Sequence, residues 1–209
     1  APLAVFIMPT TPIFGGTKHW FTAYPFLCLF AGYAALYVVV SIESRLISRW
    51  LVDTTPVALV SMTVLLAPSF AETAHSPRFG LSHYPLPAGG VPGAADLGMN
   101  RQFWGFTTGS VTDYLREQMP HGGTVYLNDT TTTAFDMLKT DGRLPRNIRA
   151  ANSLADADFV MVHHEHHMAE VDFQAWQAFG SIQPAHVLTY DGVPIISIYE
   201  HPRRRAKSP

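Results

Sequence analysis

The side chains best suited to chemistry are concentrated in the segment HHEHH, residues 163–167, which contains four imidazoles and one carboxylate. These are side chains that bind zinc. Adjacent residues of a strand point to opposite faces, so either His164 and His166 or the three odd-numbered residues of the segment converge. The segment departs from the H-E-x-x-H helix motif of zinc enzymes, because two histidines follow Glu165 directly. A solvated loop is the favoured interpretation, and zinc binding by His164 and His166 is a weaker alternative.

A second candidate site is the segment PIFGGTKHW, residues 12–20. Its glycine pair allows a sharp bend. Lys18, His19 and Trp20 would then present a cation, an imidazole and an amphipathic ring at the depth of lipid headgroups. Such a set can hold a lipid phosphate. The structural alternative has equal weight: Trp20 is then an interfacial anchor and Lys18 a snorkelling charge.

The third candidate segment, residues 75–106, is rich in glycine and proline and is predicted to be a linker. It also contains His83, Tyr84 and Trp104, and flexible linkers rarely contain so many aromatic side chains. We therefore expect the segment to pack on a neighbouring part of the protein. A structural role for these three residues is favoured over contact with a substrate.

The composition of the 209-residue chain narrows the class of protein. Hydrophobic residues make up 47% of the chain and charged residues 14%, which excludes intrinsic disorder and is more apolar than an ordinary soluble domain. The formal net charge of -2 gives no basic footprint for nucleic acid. The single cysteine, Cys28, excludes an intrachain disulfide framework and a cysteine-based zinc site.

The charges avoid the first third of the chain, which predicts a transmembrane region at 1–74. Phe21 to Ile42 is a run of 22 uncharged residues, long enough to cross a hydrocarbon core of about 30 Å at 1.5 Å per residue. A second span is predicted at 51–71, interrupted only by one aspartate near its start and by two prolines. The opening APLAVFIM is too short to span and is expected to be the end of a partial helix.

The charges between the two spans predict the orientation of the protein. The short loop ESRLISRW, residues 43–50, contains Arg45 and Arg49 beside one acid and is expected on the cytoplasmic side. Residues 9–20 and everything after His75 are then outside the cytoplasm. The basic tail, residues 202–209, is too far from any span to change this. The expected location is the inner (plasma) membrane, crossed more than once, with an extracytoplasmic C-terminal domain.

The extracytoplasmic part, residues 107–201, alternates helix and strand signals, which predicts a small α/β domain with a mixed sheet. The Asp191-Gly192 pair suits a tight type I′ hairpin turn. In chain order the predicted elements are a helix at 107–119, a strand at 124–128, a helix that begins at the threonine run 130–133 and carries Phe135 and Leu138, a strand at 158–164, a helix at 170–179 and a hairpin at 186–201.

Two blocks of this sequence resemble a known family. GGTKHW followed by TAYPFLCLFAG, and further on LSHYPLPAGGVPGAADLGMNRQFWG, are similar to the C-terminal part of family 39-like glycosyltransferases of the GT-C class. The resemblance covers about residues 9 to 110. Pro85 stands where related sequences often have Asn. The matching positions are Gly15, Gly16, Lys18, His19, Trp20, His83, Tyr84, Gly89, Gly90, Gly93 and Trp104.

The resemblance implies a multi-span membrane enzyme that transfers a sugar from a polyprenyl-phosphate donor to an extracytoplasmic acceptor. It places the catalytic acid upstream of this chain, so no residue here is catalytic and the fragment alone is expected to be inactive. Lys18 and His19 would stabilise the departing phosphate. No cofactor is required, although metal dependence varies across the class. The expected partners are the lipid-linked sugar, membrane lipid and the rest of the full-length enzyme.

Two other functions stay open from the sequence. One is a membrane-anchored extracytoplasmic binding module without catalysis. The other, with less weight, is a zinc-dependent hydrolase that uses the histidines of 163–167.

Overall fold

A computed structural model describes residues 23–50, 54–165 and 168–205 of the chain. It divides the chain into two compact units, with the boundary between His75 and Ser76. We call these the helical unit and the α/β unit, and each is described by itself. The candidate residues Lys18, His19, Trp20 and His166 lie outside the described residues, as do the partial helix and the first two residues of the first predicted span.

The helical unit consists of two helices that contact each other, α1 (Tyr24–Trp50) and α2 (Thr54–His75). In α1, Tyr24–Arg45 is the one stretch in the described part of the chain that meets the length and apolarity of a membrane span, with a mean hydropathy of 2.0. Its large apolar side chains are mostly exposed; Leu36, for example, is 59% exposed. This confirms a candidate membrane helix near the N-terminus. The second predicted span falls largely within α2.

Hydroxyl groups of the helical unit are satisfied within their own helices. The Ser41 hydroxyl donates to the Tyr37 carbonyl at 2.7 Å, and the Thr63 hydroxyl donates to the Leu59 carbonyl at 2.8 Å. Each bond joins residues four positions apart. A hydroxyl paired in this way needs no water, so these helices suit apolar surroundings.

The α/β unit contains a mixed five-stranded sheet, as predicted. Its strands are β1 (Gly123–Leu127), β2 (Ile148–Ala150), β3 (Phe159–His163), β4 (His186–Tyr190) and β5 (Val193–Glu200). The spatial order is β2-β1-β3-β5-β4. The first three strands in this order are parallel, and β5 pairs antiparallel with both β3 and β4.

Helices cover the sheet, and their bounds follow from local signals. They are α3 (Gly90–Asp96), α4 (Thr112–Gln118), α5 (Thr132–Thr140), α6 (Ala169–Phe179) and α7 (Pro202–Arg205). Short 3-10 helices occupy Gly80–Ser82, Leu86–Ala88, Phe106–Val111 and Leu154–Asp156. The Thr131 hydroxyl caps α5 by accepting a hydrogen bond from the Ala134 amide, as the threonine run predicted.

Alternating side chains of β3 build a core on both faces of the sheet. Phe159 and Met161 pack with α4 and α5 on one face, and Val160 and Val162 pack with α6 on the other. All four side chains are fully buried. A strand covered on both faces reads as a continuous apolar run, which is why β3 was predictable from the sequence.

The hairpin of β4 and β5 has the predicted turn. Asp191 and Gly192 both adopt positive φ angles, 49° and 79°. A type I′ turn requires positive φ at both central residues, and Asp-Gly is a favoured pair there.

The predicted helix at 107–119 is corrected in its first half. Residues Phe106–Val111 form a 3-10 helix, and the α-helix begins only at Thr112. Gly109 has a low helix propensity. Its carbonyl accepts hydrogen bonds from the Arg143 guanidinium at 2.7 Å and from the Thr112 hydroxyl at 3.0 Å.

The segment predicted as a linker forms part of the α/β unit from Ser76 onward. Phe79 and Val91 are buried there against Tyr190, Val193 and Ile195 of the hairpin. The aromatic-rich segment thus packs on the α/β domain, as its composition led us to expect.

The start of the basic tail also docks on the α/β unit. The Arg203 guanidinium donates to the carbonyls of Ala155 at 2.7 Å and Ala157 at 2.8 Å. These two bonds anchor α7 at the end of the sheet. Residues 206–209 of the predicted tail lie outside the described residues.

Candidate functional site

The candidate site lies at the carboxyl ends of the neighbouring parallel strands β1 and β3. The chain leaves β1 through α5 toward β2 on one side, and leaves β3 through α6 toward β4 on the other. Such a divergence opens a crevice where open α/β sheets bind ligands. Asn128 and Asp129 follow β1, and His164 and Glu165 follow β3.

A pair of carboxyl groups, the half-buried Asp129 and the buried Glu165, occupies this crevice. The side-chain amide of Gln102 bridges them, donating to Asp129 Oδ2 at 2.7 Å and to Glu165 Oε1 at 3.3 Å. The backbone N–H of Trp104 donates to Glu165 Oε1 at 2.7 Å. Glu165 is only 5% exposed and Gln102 is fully buried. The pair is therefore held by two groups of one segment, Gln102 and Trp104.

The surroundings of Glu165 favour its protonated form. Burial, followed by the charge of Asp129 and a hydrogen bond with it, raises the pKa of Glu165 to about 7, although the Trp104 N–H acts in the opposite direction. Near neutral pH this carboxyl group can thus carry a proton. Protonation of Glu165 removes the cost of a second negative charge in a buried place beside Asp129.

His163 is a neutral, buried imidazole beside the carboxyl pair. The Asn128 Oδ1 atom accepts hydrogen bonds from the backbone N–H of His163 at 3.1 Å and from its ring Nδ1 at 3.0 Å. Nε2 lies 3.1 Å from the Thr108 hydroxyl oxygen. Burial is the main cause that lowers the pKa of His163 to about 4. The ring therefore stays uncharged at neutral pH and serves to position the ends of the two strands.

A tight turn at Trp104 and Gly105 brings its backbone to Glu165. Both residues have positive φ angles, 53° and 60°. A Cβ on Gly105 would lie 2.1 Å from the Thr130 hydroxyl oxygen, so only glycine fits. Trp104 is a non-glycine residue in a sparsely populated conformation, which the surrounding contacts maintain. Its indole is left 63% exposed.

A cleft of about 180 Å³ opens beside the carboxyl pair. Its lining includes one basic side chain, Arg101, and two acidic side chains, Glu165 and Asp172. The Asp172 Oδ1 atom is buried and has no hydrogen-bond partner among the described residues. Burial raises the pKa of Asp172 to about 6. The cleft is lined by Ala95, Gly98, Met99, Arg101, His164, Glu165, Ala169 and Asp172.

His164 is a neutral member of the cleft lining. Its Nε2 atom lies 2.9 Å from the Ser197 hydroxyl of β5. Burial, and then the positive charge of Arg101, lower the pKa of His164 to about 4. Within 23–50, 54–165 and 168–205 the structure has no group of three or more side chains placed to hold a metal ion. The zinc alternative therefore gains no support from the described part of the segment HHEHH.

The structure places the remaining sequence-predicted residues around the hairpin and the cleft. His83 Nδ1 lies 2.9 Å from the Tyr190 hydroxyl, and the Tyr84 hydroxyl donates to the Asn100 carbonyl at 2.6 Å. Burial raises the pKa of Tyr84. The first contact fastens the segment 76–106 to the hairpin, and the second lies within the segment. The backbone N–H of Trp104 donates to the cleft residue Glu165.

Sequence reasoning missed two partners that complete the site, Gln102 and Asp172. Gln102 binds carboxylates 27 and 63 residues further along the chain. Sequence periodicity does not report such distant contacts. One signal for the carboxyl pair was available, because Asp129 and Glu165 each follow a predicted strand, and the carboxyl ends of parallel strands meet at one edge.

Comparisons of the chain with protein-family profiles, with characterised proteins and with solved structures give no match. The resemblance to GT-C glycosyltransferases is therefore carried by the quoted residues alone.

Proposed function

We propose that this chain is the C-terminal portion of an integral membrane glycosyltransferase that uses a polyprenyl-phosphate sugar. The observation that carries the proposal is that one chain contains both a helix of membrane-spanning length and apolarity and a folded α/β unit. The helix includes the YPFLCLFAG part of one resemblance block, and the α/β unit contains the other block. A lipid-linked donor and a water-soluble acceptor require one enzyme with both kinds of surface.

In this proposal α1 and α2 both cross the membrane and wall the donor site. The described part of α2 runs from Thr54 to His75 and contains Pro68, which a membrane helix tolerates when its freed backbone groups find other partners. The basic segment 43–50, which the structure has as the end of α1 and not as the predicted loop, lies in the cytoplasm, and the α/β unit lies outside it.

The proposed reaction is a displacement at the anomeric carbon of the lipid-linked sugar. An acceptor hydroxyl forms the new glycosidic bond while the bond to the phosphate oxygen breaks, and polyprenyl phosphate leaves. A carboxylate upstream of this chain takes the hydroxyl proton. Lys18 and His19 offset the charge of the departing phosphate at the membrane surface, and Trp20 anchors them at that depth.

The test is transfer of labelled sugar by the full-length protein in liposomes that contain a polyprenyl-phosphate sugar. We expect product with the wild type and a loss of about tenfold or more in kcat/KM for the donor with Lys18→Ala, because a hydrogen-bonded charge is removed from the leaving group. Lys207→Ala, in the basic tail, is the matched control and is expected to keep the wild-type value. No transfer from any polyprenyl-phosphate sugar would contradict the proposal.

A non-catalytic binding module is the second candidate, and the cleft of the α/β unit favours it. It predicts ligand binding without sugar transfer, in a full-length protein whose first external loop lacks an acid. The zinc hydrolase predicts stoichiometric zinc that is lost on substituting His164 or His166, and metal analysis of the full-length protein tests this directly.

A further inference from the structure

One buried polar atom at the cleft beside Glu165 has no hydrogen-bond partner among the described residues. It is the Oδ1 atom of Asp172, which lies in the first turn of α6. A buried carboxylate oxygen without a donor has lost its hydration without compensation. Asp172 lines the same cleft as Glu165 and Arg101. A ligand with a hydrogen-bond donor would compensate for this loss.

The charges around the cleft restrict the kind of ligand. The Asp172 carboxylate repels an anion, and the Arg101 guanidinium repels a cation. His164 is neutral at physiological pH and adds no charge. An uncharged ligand with several hydroxyls can bind both kinds of group, because a hydroxyl donates a hydrogen bond to a carboxylate and also accepts one from a guanidinium.

The volume restricts its size. At about 180 Å³ the cleft is smaller than the sites of about 300–1,000 Å³ that hold drug-sized ligands. One ring with its hydroxyl groups fits such a space, whereas a longer chain would have to continue outside it. Trp104, whose backbone N–H bonds Glu165, is 63% exposed and provides an aromatic surface in the same segment as Arg101.

We propose that this cleft binds a single uncharged sugar unit, with Asp172 and Glu165 accepting hydrogen bonds from its hydroxyls and Arg101 donating to its oxygens. That the sugar belongs to a substrate of the enzyme rests on the glycosyltransferase proposed above; the binding itself does not. The sugar is either part of the acceptor or the one carried by the lipid donor, and both present the same ring chemistry.

The first experiment measures binding to the full-length protein in detergent by saturation-transfer NMR. The probes are the methyl glycosides of glucose, mannose and galactose, with glucosamine and glucuronate as charged comparisons. We expect saturation of at least one uncharged glycoside, weaker signals for the charged sugars, and a loss of about tenfold or more in affinity with Asp172→Ala. Alanine is a good helix former and removes no hydrogen bond from Asp172 Oδ1, so the variant keeps the fold.

The matched control is Glu170→Ala, in the same first turn of α6 but outside the cleft. It is expected to bind as the wild type does. The proposal is overturned if no uncharged glycoside binds the wild type, if charged sugars bind better, or if Asp172→Ala and Glu170→Ala bind equally well.

A second experiment separates the two sources of the sugar and the two proposals. In the transfer assay, Asp172→Ala is expected to raise the KM of the acceptor if the cleft holds the acceptor. It is expected to raise the KM of the lipid donor if the cleft holds the donor sugar. In both cases kcat changes little. Glycoside binding without any transfer would remove the glycosyltransferase proposal and leave the sugar site. Transfer with both KM values unchanged in Asp172→Ala would remove the sugar site and leave the transferase.

Discussion

The helical unit and the α/β unit use the same apolar residue types in opposite ways. Along α1, Phe30, Tyr33 and Leu36 expose most of their surface, whereas Phe159 and Ile196 of the sheet are fully buried. A helix of a water-soluble domain hides one apolar stripe and exposes polar residues on the other side. Under the membrane proposal, the two units therefore suit two solvents, lipid for the first and water for the second.

Polar side chains repeat the contrast. Hydroxyls of α1 and α2 bond carbonyls of their own helix, four residues away. In the α/β unit, Gln102, Glu165 and His163 bond segments that are far apart in sequence. Hydrogen bonds within one helix suit a helix in apolar surroundings. Hydrogen bonds between distant segments hold the side chains of a site in place.

The largest effect is expected in the core of the sheet. Phe159→Ala should lower the free energy of unfolding of the α/β unit by about 3–5 kcal/mol, because it removes a fully buried ring and leaves a cavity. Urea unfolding of the detergent-solubilised protein, followed by near-UV circular dichroism, measures this. Phe173→Ala, at an exposed position of α6, should stay within about 0.5 kcal/mol. Equal losses in the two variants would remove the distinction between core and surface in this unit.

The next largest effect is expected in α1. Leu36→Arg puts a charge near the middle of the apolar helix and should cost about 2.5–3.5 kcal/mol of membrane insertion, on the order of a 100-fold shift toward the non-inserted form. Insertion of tagged chains into microsomes gives the ratio. Ile182→Arg, at a position of the α/β unit that is 75% exposed, should change neither insertion nor stability. Efficient insertion of Leu36→Arg would mean that lipid does not surround this helix.

Glu165→Gln should change how stability depends on pH. The folded pKa of Glu165, about 7, lies above the ordinary value of 4.5. The stability that the protonated form contributes is therefore fully present below about pH 4.5 and is lost as the pH rises through 7. Glutamine imitates the protonated form at every pH. The variant should therefore gain stability over the wild type as the pH rises from 4.5 to above 7, by on the order of 2 kcal/mol.

The measurement is the urea midpoint of both proteins at pH 5 and pH 8. Asp113→Asn, on the exposed surface of α4, is the control and should show the same pH dependence as the wild type. The same difference in urea midpoint between Glu165→Gln and the wild type at both pH values would contradict the raised pKa of Glu165.

The smallest effect is expected for an exposed ion pair. Arg116 pairs with Asp113 one turn earlier on α4, and both side chains face solvent. Arg116→Ala should cost at most about 0.5 kcal/mol, and less in high salt, because water screens the pair. Urea titrations with and without added salt check this. A loss well above 1 kcal/mol would show that this surface of the α/β unit is covered rather than in water.

Much of the fold could be predicted because its signals are local. The uncharged run that became α1, the apolar run of β3 and the Asp-Gly pair of the hairpin each occupy a few consecutive residues. Strand β2 (Ile148–Ala150) was not predicted, because three residues make no periodic pattern. Helix α3 was not predicted either, because its sequence GVPGAAD looks like a loop.

The candidate site could be predicted only in part. The position of the segment HHEHH at the end of a buried strand pointed to the right edge of the sheet, and Trp104 was among the candidate residues. The bonds from Gln102 to Asp129 and Glu165 depend on the packing of segment 76–106, which no local pattern reports. Chemistry-bearing residues were visible in the sequence, but their partners were not.

Labelling of single thiols tests the two-solvent account most directly. In the full-length protein with its other cysteines replaced by serine, Cys28 of α1 is compared with an Ile182→Cys variant that also carries Cys28→Ser. A membrane-impermeant maleimide added to spheroplasts should modify the thiol at position 182 within minutes and Cys28 only after a denaturing detergent dissolves the membrane. Equal labelling of both in intact spheroplasts, or recovery of the protein as a soluble monomer without detergent, would contradict the account.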